Sequence, residues 1–126
     1  AHPAVAAVRW PGHPADQAHA VARGQMRRWN GVVGMTLGSE AAVGRFLAAA
    51  QLVASATSFG GVRTSADRRQ RWGDAVPPGF LRLSVGCEDP DDLVADVEIT
   101  VATDHEGHPK PCEREGQTPN YFLDCR

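Results

Sequence analysis

The stretch Phe80-Leu81-Arg82-Leu83-Ser84-Val85-Gly86-Cys87-Glu88-Asp89-Pro90 leaves the chain few ways to fold. Its first half alternates as a β-strand does, and strand side chains point to opposite faces in turn. Leu81, Leu83 and Val85 therefore share one face, and Phe80, Arg82 and Ser84 share the other. The first face reads as core. The second half runs into Asp89-Pro90-Asp91-Asp92, which has a capping aspartate, a proline at the first helical position and acids in the first turn. A helix carrying Leu93, Val94, Val97 and Val101 is predicted to follow and close the domain. Arg82 is the candidate site residue of the second face. A guanidinium held on a strand between apolar neighbours can grip a carboxylate or phosphate through two parallel hydrogen bonds. The competing reading is a solvated arginine, or one in a weak surface ion pair.

Upstream, Val5, Val8 and Trp10 predict a short strand after an alanine-rich start, and Pro11-Gly12 stops it. Ala18, Val21, Ala22 and Met26 recur at helical spacing and predict a helix from about Ala15 to Arg28. Asn30-Gly31 turns the chain into the strand Val32 to Leu37. Ser39 caps a second predicted helix, with Glu40 in its first turn and Val43, Phe46, Leu47, Ala50 and Val53 as its apolar stripe. Gly60-Gly61 marks backbone that needs unusual dihedrals or a close approach. Thr64 followed by Asp67 resembles a capping box and predicts a short polar helix through Arg68, Arg69 and Arg71. Pro77-Pro78-Gly79 forces a turn before Phe80. Strands alternating with helices predict one small sheet with helices packed on it, an α+β domain.

From Ala102 onward the composition turns to charge, proline and glycine, so residues 102–126 are expected to be a polar tail, disordered or foreign to the domain of residues 1–101. His105, His108 and Cys112 have spacing that metal ligands sometimes show, but a site needs three or four ligands held in a folded shell, so no metal is expected. His2, His13 and His19 read as surface or capping histidines. A net charge of -2 gives no electrostatic case for nucleic acid or anionic membrane. The arginines at 68, 69 and 71 read as a solvated face. Three cysteines without Cys-x-x-Cys spacing fit a reducing cytoplasm better than a disulfide framework, and neither a membrane-spanning run nor a signal peptide is expected. Dinucleotide, phosphate-loop, zinc-protease and nucleophile-elbow motifs are all missing.

Several stretches together carry a resemblance: Val8-Arg9-Trp10-Pro11-Gly12, Ala22-Arg23-Gly24-Gln25-Met26, Gly31-Val32-Val33, Ser58-Phe59-Gly60-Gly61-Val62, and Leu81 to Asp89 followed by Asp92-Leu93-Val94-Ala95-Asp96. In this order the chain resembles the C-terminal domain of the pyridoxal-phosphate enzymes of cysteine and methionine metabolism, the cystathionine γ-lyase and γ-synthase family, on the side of its bacterial members. The resemblance implies the small C-terminal domain of the aspartate-aminotransferase-like, fold type I architecture, with a mainly antiparallel sheet. It implies that Arg82 binds the substrate α-carboxylate, that the backbone of Ser58 helps to position it, and that Thr57 lies where side-chain specificity is tuned. Two departures stand out. Where the family has Gly-Gly-Val-Glu-Ser this chain reads Gly61-Val62-Arg63-Thr64, and Arg68-Arg69-Gln70-Arg71-Trp72-Gly73-Asp74 replaces a Met-Thr-His segment.

The family's chemistry requires pyridoxal 5'-phosphate and a Schiff-base lysine. The resemblance places that lysine in an N-terminal domain. The only lysine here is Lys110, outside every matching stretch. The expectation is that this chain supplies a substrate grip to an N-terminal cofactor domain or subunit, in a homo-oligomeric enzyme that eliminates cystathionine to cysteine, 2-oxobutanoate and ammonia, and that it is catalytically silent alone. Lyase, synthase and β-lyase stay open. The alternative is a stand-alone interaction or regulatory module that keeps the fold without the chemistry.

Overall fold

The computed structural model describes residues 2–102. The expectations for the tail, including Lys110 and the group His105, His108 and Cys112, lie outside the described residues. Five strands, β1 (Val5–Arg9), β2 (Val32–Leu37), β3 (Ala54–Ser55), β4 (Ser65–Asp67) and β5 (Phe80–Ser84), form one sheet in the order β1-β2-β5-β4-β3. Every neighbouring pair is antiparallel except β3 with β4, so the sheet is mixed but mainly antiparallel. The helices α1 (His19–Gln25), α2 (Glu40–Ala49) and α3 (Pro90–Ala102) complete an α+β domain.

The strand predicted from Phe80 is central to the sheet, with β2 on one side and β4 on the other. Its alternation separates the two faces as expected within the strand. Leu81 and Leu83 are buried with Met35, Leu37 and Ala66, and this face meets Ala42, Val43 and Phe46 of α2 and Leu93 and Val101 of α3. Full burial of side chains such as Leu81 and Phe46 contributes about 1.5–3 kcal/mol each. Val85 follows the end of β5 and is exposed, so it does not extend the core face.

The starts of α2 and α3 are as the sequence predicts. The Ser39 hydroxyl accepts from Ala42 N–H at 3.1 Å, and Asp89 Oδ1 accepts from Asp91 N–H at 2.9 Å. The Asp96 carboxylate accepts from the amides of Gln51 and Leu52 at 2.9 and 3.0 Å, tying α3 to the chain that leaves α2.

Four expectations are corrected. The helix predicted over Ala15 to Arg28 is only His19–Gln25. Asp16 accepts from the amides of Trp10 and Ala18 and from Arg9 Nε, which stabilises turns in place of the first helical turns. Thr64 caps no helix. It is wholly buried and leads into β4, with Asp67 the last residue of that strand, and the short polar helix is a 3-10 turn over Arg69–Trp72. Val94 faces solvent, and the inner side of α3 is Leu93, Val97, Thr100 and Val101. Ala102, assigned to the tail, is the last residue of α3.

Candidate functional site

Opposite the helices, the sheet presents Phe80 and Arg82. Glycine at 34 clears this face. It lies directly across from Arg82 in the β2–β5 register, and a Cβ there would approach the Phe80 ring to 2.9 Å. On the other side Arg82 pairs with Asp67 in the β4–β5 register.

The segment from Thr57 to Thr64 arches over this face. Arg82 Nη2 donates to the Thr57 carbonyl, and its guanidinium stacks on the Phe59 ring at 4.7 Å. The Ser58 carbonyl accepts from the Ser65 hydroxyl at 3.0 Å. The three residues expected at the site, Arg82, Ser58 and Thr57, therefore lie together. Thr57 and Ser58 meet their neighbours here through backbone carbonyls. Arg82 keeps donors for a further acceptor, and its planar fork matches a carboxylate.

Sequence reasoning missed how the loop is held. Gly60 takes φ +78°, backbone that glycine tolerates at little cost, and its N–H donates to the buried Ser84 hydroxyl at 2.9 Å. At the far end, the Glu88 carboxylate accepts from Thr64 N–H and from the Thr64 hydroxyl, both at 2.6 Å. The same hydroxyl accepts from Gly86 N–H at 2.8 Å, and Cys87 N–H donates to the Val62 carbonyl at 2.8 Å. A Cβ at Gly86 would collide with the Val62 carbonyl oxygen, so this close approach requires glycine. Burial pushes the Glu88 carboxyl up. The bonds from Thr64 and from its own backbone, with the charge of Arg63, outweigh that and hold it below the usual range. Thr64 was visible only as a possible cap, and Glu88 only as part of a matching stretch.

A second cluster adjoins Arg82. Asp67, 1% exposed, accepts from Arg69 Nη1 at 3.1 Å, Arg71 Nη2 at 2.6 Å and Trp72 Nε1 at 3.0 Å. The arginines expected to be a solvated face instead converge in part on this buried carboxylate, while Arg68 pairs with Glu40 at 2.7 Å. The histidine expectation holds for two of the three: His2 and His13 accept turn amides through Nδ1, whereas His19 is part-buried, with Nδ1 2.8 Å from the Pro11 carbonyl oxygen and its ring stacked on Trp29. Among the described residues there is no group of three or more metal-ligating side chains, and no helix long and apolar enough to cross a membrane.

This architecture has known counterparts. Residues 1–102 match the family model described as Cys/Met metabolism PLP-dependent enzyme. A Streptomyces coelicolor protein named "Putative cystathionine gamma-lyase" is 60% identical over 96 residues, which cover 75% of this chain and 24% of that protein. The cystathionine gamma-lyase of Bacillus subtilis is 32% identical over 107 residues, covering 76% of this chain and 28% of its own length. The crystal structure of metB from Corynebacterium glutamicum superposes with a TM-score of 0.75 at 32% identity, over 81% of this chain and 29% of that one. The chain thus spans about a quarter of the length of the curated relatives it matches. By sequence over residues 1–102 and by fold, it belongs to the Cys/Met metabolism family of PLP-dependent enzymes.

Proposed function

We propose that residues 1–101 are the substrate-binding C-terminal domain of a cytoplasmic, homo-oligomeric carbon-sulfur lyase of the cystathionine γ-lyase type, with the small-domain architecture of fold type I enzymes. Arg82 binds the α-carboxylate of the amino-acid substrate. The supporting observation is its placement on a central strand, stacked on Phe59 and bonded to the Thr57 carbonyl, with donors left for an incoming carboxylate.

Residues 1–102 contain no lysine, so they suit the substrate's carboxylate and not covalent attachment of the cofactor. Pyridoxal phosphate would be held by a separate N-terminal domain or subunit, and when bound it supplies the electron sink that makes the substrate Cα–H acidic. The contribution of this chain is orientation. Arg82 fixes one end of the amino acid, the Thr57 carbonyl holds the arginine, and the Ser58 carbonyl, bonded to the Ser65 hydroxyl, holds the loop beside it. Holding the reacting carbon in one pose converts binding energy into rate. On this reading cystathionine and one water yield cysteine, 2-oxobutanoate and ammonia, and the isolated chain is silent.

The test is a chimera in which residues 1–102 replace the corresponding segment of the Streptomyces coelicolor relative. Loaded with pyridoxal phosphate, it is expected to release 2-oxobutanoate from cystathionine. A folded, cofactor-loaded chimera that releases none, beside an active parent, would refute the reading and favour a stand-alone interaction module.

A further inference from the structure

Arg82 has an acid directly across from it, yet among the described residues the two form no ion pair. Asp67 and Arg82 are opposed residues of the antiparallel β4–β5 ladder, and such residues project from the same face with Cβ atoms about 5 Å apart. An arginine reaches that far easily. An internal pair with Asp67 would occupy the fork that a substrate carboxylate needs.

The Asp67 carboxylate is already filled. Oδ1 accepts from Arg71 Nη2 at 2.6 Å, while Oδ2 accepts from Arg69 Nη1 at 3.1 Å and Trp72 Nε1 at 3.0 Å. The nearby Asp74 is likewise engaged, by Arg69 Nε at 2.8 Å, and Glu88 by Thr64. All three donors to Asp67 come from a single turn, Arg69–Trp72, that follows β4 directly. Arg82 turns the other way, to Thr57 and Phe59.

We propose that Arg69, Arg71 and Trp72 are positioning residues that keep Asp67 occupied, so that Arg82 stays available to an incoming carboxylate. The inference rests on the carboxylate-grip reading above. It gives a role to the segment in which this chain departs from the family pattern: the basic run serves the site by satisfying a neighbouring acid.

The experiment uses the cofactor-loaded chimera and measures KM and kcat for cystathionine. In Arg69→Ala/Arg71→Ala, Asp67 is released to pair with Arg82, and KM is expected to rise about three- to fivefold, the range set by competition from a partly exposed ion pair. Adding Asp67→Asn removes the competitor and is expected to bring KM back to within about twofold of the parent, even where the melting temperature falls further. A purely structural role predicts the reverse, with the third substitution worsening both. Should the double variant fail to fold, Arg71→Gln with and without Asp67→Asn reads the same competition. An unchanged KM in the first variant, or no recovery in the second, overturns the inference. Arg82→Lys in the parent chimera separates the two levels: if it leaves KM unchanged, the grip reading fails and this inference with it, whereas a raised KM without recovery by Asp67→Asn overturns this inference alone.

Discussion

Replacing Glu88 with alanine removes the acceptor for two donors of Thr64, a residue with no exposed surface. The Thr64 N–H has no way to turn to another partner, and its hydroxyl is already fixed by the bond it accepts from Gly86. A buried donor left unpaired costs about 1–3 kcal/mol, so the pair is expected to cost about 3 kcal/mol. Glu88→Gln keeps one acceptor oxygen for the Thr64 N–H and leaves only the hydroxyl donor unpaired, so its cost is expected to be smaller, about 1–2 kcal/mol. Urea unfolding of the 126-residue chain, followed by circular dichroism, measures both. The pH dependence gives an independent reading. The folded Glu88 carboxyl is held below its ordinary value of 4.5, so its stabilisation is present above that value and is lost as pH falls through the lower, folded one. The acid loss should shrink in Glu88→Gln, which has no proton to take up there. If Glu88→Ala unfolds within about 0.5 kcal/mol of the parent, as substitutions at an ordinary surface position do, the account of how the loop is pinned is wrong.

Four further outcomes are expected. Ser84→Ala leaves the Gly60 amide without its acceptor and should cost about 1 kcal/mol by the same urea measurement, with faster amide exchange at Gly60. Gly86→Ala drives a methyl group into the Val62 carbonyl oxygen and should cost about 2 kcal/mol or more, while Gly44→Ala, with open space at the same atom on the surface of α2, should stabilise by up to about 1 kcal/mol. Phe46→Ala empties the centre of the core and should cost about 3–5 kcal/mol in the same assay, since the ring is 1% exposed between sheet and helices.

What could be read from the sequence was whatever depends on local pattern. The alternation from Phe80 to Ser84 placed Leu81 and Leu83 in the core and Arg82 on the other face, and Ser39 and Asp89 marked the helix starts they cap. The misreadings occur where a side chain is claimed by something distant in sequence. Asp16 folds its own segment back through Arg9 and Trp10, shortening the predicted helix. Thr64 and Asp67 have capping-box spacing, but Glu88, 24 residues further on, takes Thr64, and β5 takes the Asp67 segment into the sheet. Strands as short as β3 and β4, with two and three residues, carry too little alternation to register. At the site, Arg82 was legible from strand alternation, while its carboxylate role and the places of Thr57 and Ser58 came from the family resemblance, and the structure groups the three. Glu88, which pins the loop, acts through a pairing that no single stretch displays, and Asp67 gave no sign in the sequence that three neighbouring donors converge on it.

The central claim is that Arg82 holds the substrate's α-carboxylate, and the most direct measurement is KM for cystathionine in the cofactor-loaded chimera carrying Arg82→Lys. Lysine keeps the charge but loses the planar fork and its two parallel bonds. Hydrogen bonds to charged groups are worth about 1.5–3 kcal/mol, so KM should rise about tenfold to a hundredfold while the melting temperature changes little. A KM within about twofold of the parent, in a protein that binds cofactor normally, would contradict the account.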